Sequence, residues 1–403
     1  KGEYGIRPVV WSGVLGDGYM RQEKADASMK KVRDFRLETY FSKWEFTARY
    51  NMAASDMESL SVSDLLAMAS TDDKKAFKDL WLGYTETFGN KGLRYEISKT
   101  YDTAEPENIL CFAGAEEGIY VAMRVLLKQN DHAIIVVPNY QSAETIPLSI
   151  CEVSAVPLNP DENWSLDIDR VKDEIRSNTK LISINFPNNP TGTILERERF
   201  DALIKICHQK GLYLFSDEVY RLIERNNKLR LPQVGDIYER GLSLNVMSKA
   251  YGLPGLRLGW IMCKDKNILQ DMERYKHYLS ICNSAPSEHL SIIALKAKQQ
   301  ILERNRTLIN NNIKILCDFF DEFTDLFDWA IPDGSCVGYP RYNGSNSANE
   351  FCEDLVEKTG VLLLPPKIYH SELLETPKDR FRIGYGRRSL ASGLEVMKDY
   401  LKN

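Results

Sequence analysis

Between residues 105 and 263 the chain alternates two patterns. Short runs that are continuously apolar or β-branched occupy 109–113, 133–137, 181–186, 212–216, 243–247 and 258–263. Such runs predict strands covered on both faces. Between them lie longer segments, 116–128, 166–176, 196–210 and 266–279, whose apolar residues return with helical spacing. The alternation predicts an α/β unit with a mostly parallel sheet sandwiched by helices.

The rest of the chain is patterned differently. Residues 285–323 carry one long helical pattern that leads out of the sheet unit. Beyond it, strand-like runs at 336–340, 361–364 and 381–385 mix with helical stretches at 348–358 and 389–401. With residues 32–84 these form a smaller expected α+β domain, 32–84 plus 286–403, against a large domain at 85–285. Residues 1–31 are glycine-rich, then charged, and their apolar patch Val9-Val10-Trp11 is too short for a secretory core. Two readings stay open for them: an extension upstream of a translation start at Met29, or an arm that packs on a partner subunit.

Composition narrows the class. The 403 residues hold 52 Lys+Arg against 57 Asp+Glu, a net charge of −5. That balance argues against nucleic acid as the main partner. No run approaches the length of a membrane span. The eight cysteines are scattered and never form CxxC, and the five histidines stand far apart, so no metal site is expected. Dispersed thiols in a large chain point to a reducing, cytoplasmic setting.

In doubly wound sheets ligands sit at the carboxyl ends of the strands. The polar residues that follow the predicted strands are Gly114-Ala115-Glu116, Asn139-Tyr140, Asn188-Asn189, Asp217 with Tyr220, and Lys249. Their types suit a phosphorylated, aromatic, nitrogen-containing cofactor. Lys249, at a strand end before a Gly/Pro-rich turn, is placed for Schiff-base chemistry, and Arg257 eight residues on suits a phosphate. Asp217 ends an apolar strand, where a carboxylate needs a cationic partner such as a pyridinium nitrogen. Its plainer reading is the N-cap of a following helix. Asn189 sits in a rigid Pro/Gly turn, Tyr140 offers a flat stacking face, and the backbone at Ala115-Glu116 opens a helix whose free N–H groups suit a phosphate.

Together these segments resemble the class I/II aminotransferases, pyridoxal-phosphate enzymes of fold type I. The likeness runs in order from about Phe35 to the C-terminus and rests on FPNNPTG (186–192), SDEVY (216–220) and SKAYGLPGLRLGW (248–260). The resemblance implies that Lys249 carries the cofactor and moves the substrate proton, with Asp217 and Tyr140 beside it in the catalytic set. It implies that Asp217 pairs with the pyridine nitrogen, that Asn189 and Tyr220 hold the ring 3-oxygen, and that Tyr140 stacks on the ring. Arg257 and the Ala115-Glu116 backbone would hold the phosphate. Val246 replaces the serine that many relatives place three residues before the lysine, and Ser248 is the expected substitute. Tyr84, in LGYTETFGNKGLR, matches a tyrosine that reaches the neighbouring subunit's phosphate, which implies a homodimer. Arg382, in RFRIGYGRR, matches the arginine that grips the substrate α-carboxylate, with Asn189 next to it. The expected partners are an amino acid and a 2-oxo acid.

One segment departs from the common pattern. Between Tyr40 and Glu58, many relatives carry a glycine-rich strand, and this chain carries Glu45, Asp56 and Glu58. The motif WEF…ASD is similar to oxygen-using arginine oxidase/hydroxylase relatives, which implies that Glu45 or Asp56 binds a cationic substrate tail. The ordinary alternative is a pair of solvated charges. Oxidase, hydroxylase and lyase chemistry on the same cofactor therefore stand beside transamination.

Overall fold

The computed structural model describes residues 32–402. The readings of residues 1–31 lie outside the described residues. Eight strands form one sheet: β1 (Ile109–Phe112), β2 (His132–Val137), β3 (Glu152–Asn159), β4 (Ser165–Leu166), β5 (Thr179–Asn185), β6 (Tyr213–Asp217), β7 (Gly241–Val246) and β8 (Gly259–Cys263). Their spatial order is β1-β8-β7-β6-β5-β2-β3-β4. Pairing is parallel through β7-β6-β5-β2-β3. β8 is antiparallel to both β7 and β1. Six strands therefore run in one direction, and the start of β8 meets their carboxyl ends.

All six expected strands of the sheet are present. They are legible because both faces are covered: every residue of β1, β2 and β8 is buried. Alternate residues enter different cores, Leu181 and Phe215 one face, Ile182 and Leu214 the other. Each such side chain contributes about 1.5–3 kcal/mol by leaving water. The expected strand list lacked β3. Its residues alternate between exposed or half-buried and buried, and it contains Pro157, so it has no continuous apolar run. The helix expected over 166–176 shrinks to Ile168–Asp173, because Ser165–Leu166 pairs with β3 as β4. The long helix expected over 285–323 is two helices, Ala285–Lys296 and Lys298–Glu322, divided at Ala297.

The N-terminal part of the described chain packs against the C-terminal part. Tyr50–Asn51 pairs in parallel with Val361–Leu362. The next residues run closely alongside 384–388: Gly384 N donates to Met52 O (2.7 Å) and Glu58 N to Gly386 O (2.7 Å). A Cβ on Gly384 would overlap the Ala54 carbonyl oxygen. This close approach decides where residues 53–58 sit, and they line the site described next.

Gly384→Ala is therefore expected to lose about 1–3 kcal/mol of stability, the usual cost of overpacking. Gly255→Ala, with nothing within 4 Å of the added carbon, is the control. Urea midpoints of the two variants check this.

Candidate active site

Strand polarity gathers the site. Five chain segments leave the carboxyl ends of β1, β2, β5, β6 and β7 on one edge of the sheet, carrying Gly114, Tyr140, Asn189, Asp217 and Lys249. The antiparallel β8 adds Arg257, two residues before its first residue. Phe112, Gly259 and Val246 lie in register across β1, β8 and β7.

Lys249 lies at the centre. Its Nζ donates to Ser55 Oγ (2.8 Å) and stands 5.9 Å from the centre of the Tyr220 ring. Burial pushes the amine below the ordinary lysine range. Asp56 and Asp217 oppose that shift and Arg382 adds to it. A buried amine of reduced basicity is neutral and nucleophilic more of the time.

Asp217 is buried at the end of β6. Burial pushes its carboxyl up to about 6, opposed by the Val219 N–H, which donates to it at 3.2 Å, and by Lys249. No helix follows it; residues 219–222 form turns, so the N-cap reading fails. Asn185 holds the neighbourhood in register. Its Nδ2 donates to Asp217 O (3.0 Å), and its Oδ1 accepts from Asn189 N (2.8 Å). Asn188 ties the same turn to the loop before Tyr140 by donating to Pro138 O (3.1 Å).

Asn189 Oδ1 accepts two hydrogen bonds, from Arg382 Nη1 (3.0 Å) and from Tyr369 OH (3.0 Å). Tyr369 OH also accepts from Arg382 Nη1 (2.7 Å). Both lone pairs of the amide oxygen are thereby used, and its NH₂ is left to donate elsewhere. Arg382 is fully buried; Nη2 donates to Ala53 O (2.6 Å) and Nε has no partner among the described residues. Tyr220 OH donates to Ser55 O (3.1 Å). Tyr140 meets Phe35 edge-on at 5.1 Å.

On the phosphate side, Gly114 has φ +94° and caps the helix Ala115–Leu126. A Cβ there would come 2.6 Å from Arg257 Nη2, and a Cβ on Gly259 would come 3.0 Å from Ala115 N. Arg257 is itself exposed, in the left-handed region at φ +47°. The Ser248 hydroxyl is buried without a partner among the described residues. Glu116 behaves differently from the bare backbone expected of it. Burial pushes its carboxyl up to about 7, against the nearby Ser142 and Tyr140 hydroxyls.

The mouth residues separate. Asp56 is buried and already paired, both of its oxygens accepting from Arg387 Nη2 at 2.8 Å. A substrate cation at Asp56 would therefore have to share the carboxylate with Arg387. Glu45 forms no side-chain ion pair among the described residues. Burial raises its carboxyl, as do Glu38 and Asp56, while Arg387 and Lys249 lower it. Tyr84 lies outside the cleft, 86% exposed. Three residues of the site escaped the sequence reading: Ser55, Asn185 and Tyr369. Ser55 lay inside the noted ASD motif and Asn185 immediately before FPNNPTG. Tyr369 carried no local signal.

The sign of the Asp217 shift gives a test on the cofactor-free chain. A raised carboxyl leaves stability intact at low pH and loses it as pH rises through about 6. Because the unfolded carboxyl titrates at about 4, part of that loss is already present at pH 5, and Asp217→Asn is expected to lose less stability than the parent between pH 5 and pH 8 by about 1 kcal/mol. Urea unfolding at the two pH values reads it.

Comparison with known proteins agrees with the geometry. The family model described as aminotransferase class I and II matches residues 55–390. A capreomycidine synthase from Streptomyces vinaceus is 23% identical over 375 residues, covering 91% of this chain and 93% of that protein. An aspartate aminotransferase from Pyrococcus horikoshii is 28% identical over 334 residues, 80% of this chain and 82% of that one. The crystal structure of a PLP-dependent aminotransferase from Streptococcus suis superposes with a TM-score of 0.86 at 29% identity, covering 93% of this chain and 98% of that one. The site fits pyridoxal phosphate: the Gly114 cradle beside Arg257, the unpartnered Ser248 hydroxyl and the buried Asp217 carboxyl each answer to one part of it. The chain belongs to the class I and II aminotransferases, and it is a pyridoxal-phosphate-dependent enzyme of fold type I.

Proposed function

We propose that this enzyme moves an amino group between an amino acid and a 2-oxo acid. The observation that carries the reading is geometric: Asn189, Asp217 and Lys249 follow neighbouring parallel strands to one edge of the sheet, where Asn189 accepts from the fully buried Arg382 (3.0 Å). Bound pyridoxal phosphate supplies an electron sink for the pair left behind when the substrate loses its Cα proton. Lys249 would hold the cofactor and, once displaced by the incoming amino acid, would take that proton on Nζ and return it to the cofactor carbon on the far side of the substrate nitrogen. Asp217 keeps the ring nitrogen protonated. Asn189, through its free NH₂, and Tyr220 hold the ring 3-oxygen, and Tyr140 stacks on the ring. Arg257, Ser248 and the Ala115 and Glu116 N–H groups hold the phosphate. Arg382 receives the substrate α-carboxylate, with Asn189 and Tyr369 fixing its guanidinium.

The active form we propose is a homodimer in which the partner subunit's Tyr84 completes the phosphate site. Trp81, Leu82 and Tyr84, close together in the chain, are each more than three-quarters exposed, which supports a partner subunit covering them. Residues 32–84 with 286–403 are proposed as the small domain and 85–285 as the large one. The pairing of residues 50–51 with 361–362 supports the first grouping. A cytoplasmic location is proposed from the dispersed cysteines. No helix among the described residues is long and apolar enough to cross a membrane.

A second reading has its own support. Glu45 is an unpaired carboxylate whose charge reaches Lys249, and one relative is named a synthase. It gives a cationic amino acid, such as arginine, as substrate, with oxidase, hydroxylase or lyase chemistry in place of transamination.

Borohydride reduction of the holoenzyme followed by peptide mapping is expected to place the cofactor on Lys249. Lys249→Ala abolishes the spectral response to amino acids, and retained turnover refutes the assignment. Arg382→Gln is expected to raise KM for donor and acceptor together by about 10- to 100-fold, as befits loss of a charged hydrogen-bond pair. A separate screen compares Glu45→Gln with the parent on arginine and on neutral amino acids. A selective loss with arginine, with oxygen uptake in the absence of a 2-oxo acid, favours the second reading; equal activity on both substrate types removes it.

A further inference from the structure

We propose that Ser55 is a catalytic residue that docks the Lys249 amine whenever that amine carries the transferred proton. The inference rests on Lys249 being the cofactor lysine. Its ground is contact: Ser55 Oγ lies 2.8 Å from Nζ, the atom that breaks and makes bonds in the reaction.

The local structure aims this hydroxyl. Residues 53–58 are clamped from both sides. Ala53 O accepts from Arg382 Nη2, Asp56 is bound to Arg387, and Glu58 N reaches Gly386 O. Ser55 sits in the middle of that clamp, and its own carbonyl accepts from Tyr220 OH (3.1 Å). The residue thus touches two groups of the site through different atoms.

The need for such a residue follows from the chemistry. Burial weakens Nζ as a base, and Arg382 weakens it further. A weak base is a poor acceptor for a Cα proton. In the transfer the Cα–H bond breaks, the proton bonds to Nζ, and the electron pair stays with the substrate joined to pyridoxal phosphate; the ammonium then gives the proton up. A hydroxyl oxygen that accepts from the ammonium stabilises it more than the neutral amine, because hydrogen bonds to charged donors are the stronger. The other titratable groups that act on Nζ are Asp56, Asp217, Arg382 and the Cys336 thiol, which burial keeps neutral, with Glu45 further out. Ser55 is the group that reaches Nζ by a direct hydrogen bond among the described residues.

The test reads the amine itself. The full chain, freed of cofactor, is labelled with trace acetic anhydride across pH, and the rate at the Lys249 peptide gives the pKa of Nζ. Ser55→Ala is expected to lower that pKa by about one unit, the order expected for one charge-assisted hydrogen bond. Ser55→Thr, which keeps the hydroxyl, is expected to match the parent. Both keep the Ser55 carbonyl that Tyr220 uses. In the holoenzyme, solvent-deuterium exchange at the substrate Cα is expected to slow about tenfold in the alanine variant and to recover in the threonine variant. If the alanine variant does not fold, Ser55→Gly takes its place. An unmoved pKa in the alanine variant, or an equal fall in alanine and threonine variants, overturns the proposal. Failure of borohydride to mark Lys249 in the parent is a different result and overturns the cofactor assignment instead.

Discussion

The direction of the strands is the constraint on which the site depends. A parallel strand ends on the same edge as its neighbours, so polar residues placed just after five strands converge without any local instruction to do so. β8 runs the other way, and its approach delivers Arg257, two residues before it, to the edge where its neighbours β1 and β7 finish. Gly259 and Gly114 let the backbones of β8 and the helix entrance come close enough for that delivery.

Desolvation then sets the chemistry. The cleft holds an amine pushed down, and carboxyls at Asp217 and Glu116 pushed up, by the same burial. Such groups are costly in a folded chain unless something compensates them. For Asp217 the proposed partner is a protonated ring nitrogen. A hydroxyl partly compensates Lys249. The site is thus a place where stability is given up for chemistry, and it is held in shape by hydrogen-bonded neighbours, notably Asn185 and the Asn189–Tyr369–Arg382 ring of contacts.

The stretch from Ala53 to Glu58 joins the two ends of the chain to the lysine. It is gripped by 382–388 through main-chain contacts and the Asp56–Arg387 ion pair. That pair also explains the division of labour at the mouth. Asp56 braces the segment through Arg387, whereas Glu45 forms no side-chain ion pair among the described residues.

Local sequence determined a great deal here. Apolar runs revealed six of the eight sheet strands. Residues at their ends, Lys249, Asp217 and Asn189 among them, announced the cofactor because their types and order are chemically specific. Local pattern did not reveal β3, whose half-exposed alternation carries a weaker signal, or the break at Ala297. It did not show that Asp56 pairs with Arg387, 331 residues away, or that Tyr369 joins Asn189 and Arg382. Nor did it single out Ser55 from its neighbours. Those facts are pairings between residues far apart in the chain. A side chain's partner is chosen by packing in three dimensions, and only the tertiary structure decides which of several acidic, hydroxyl or aromatic residues arrives within hydrogen-bond reach.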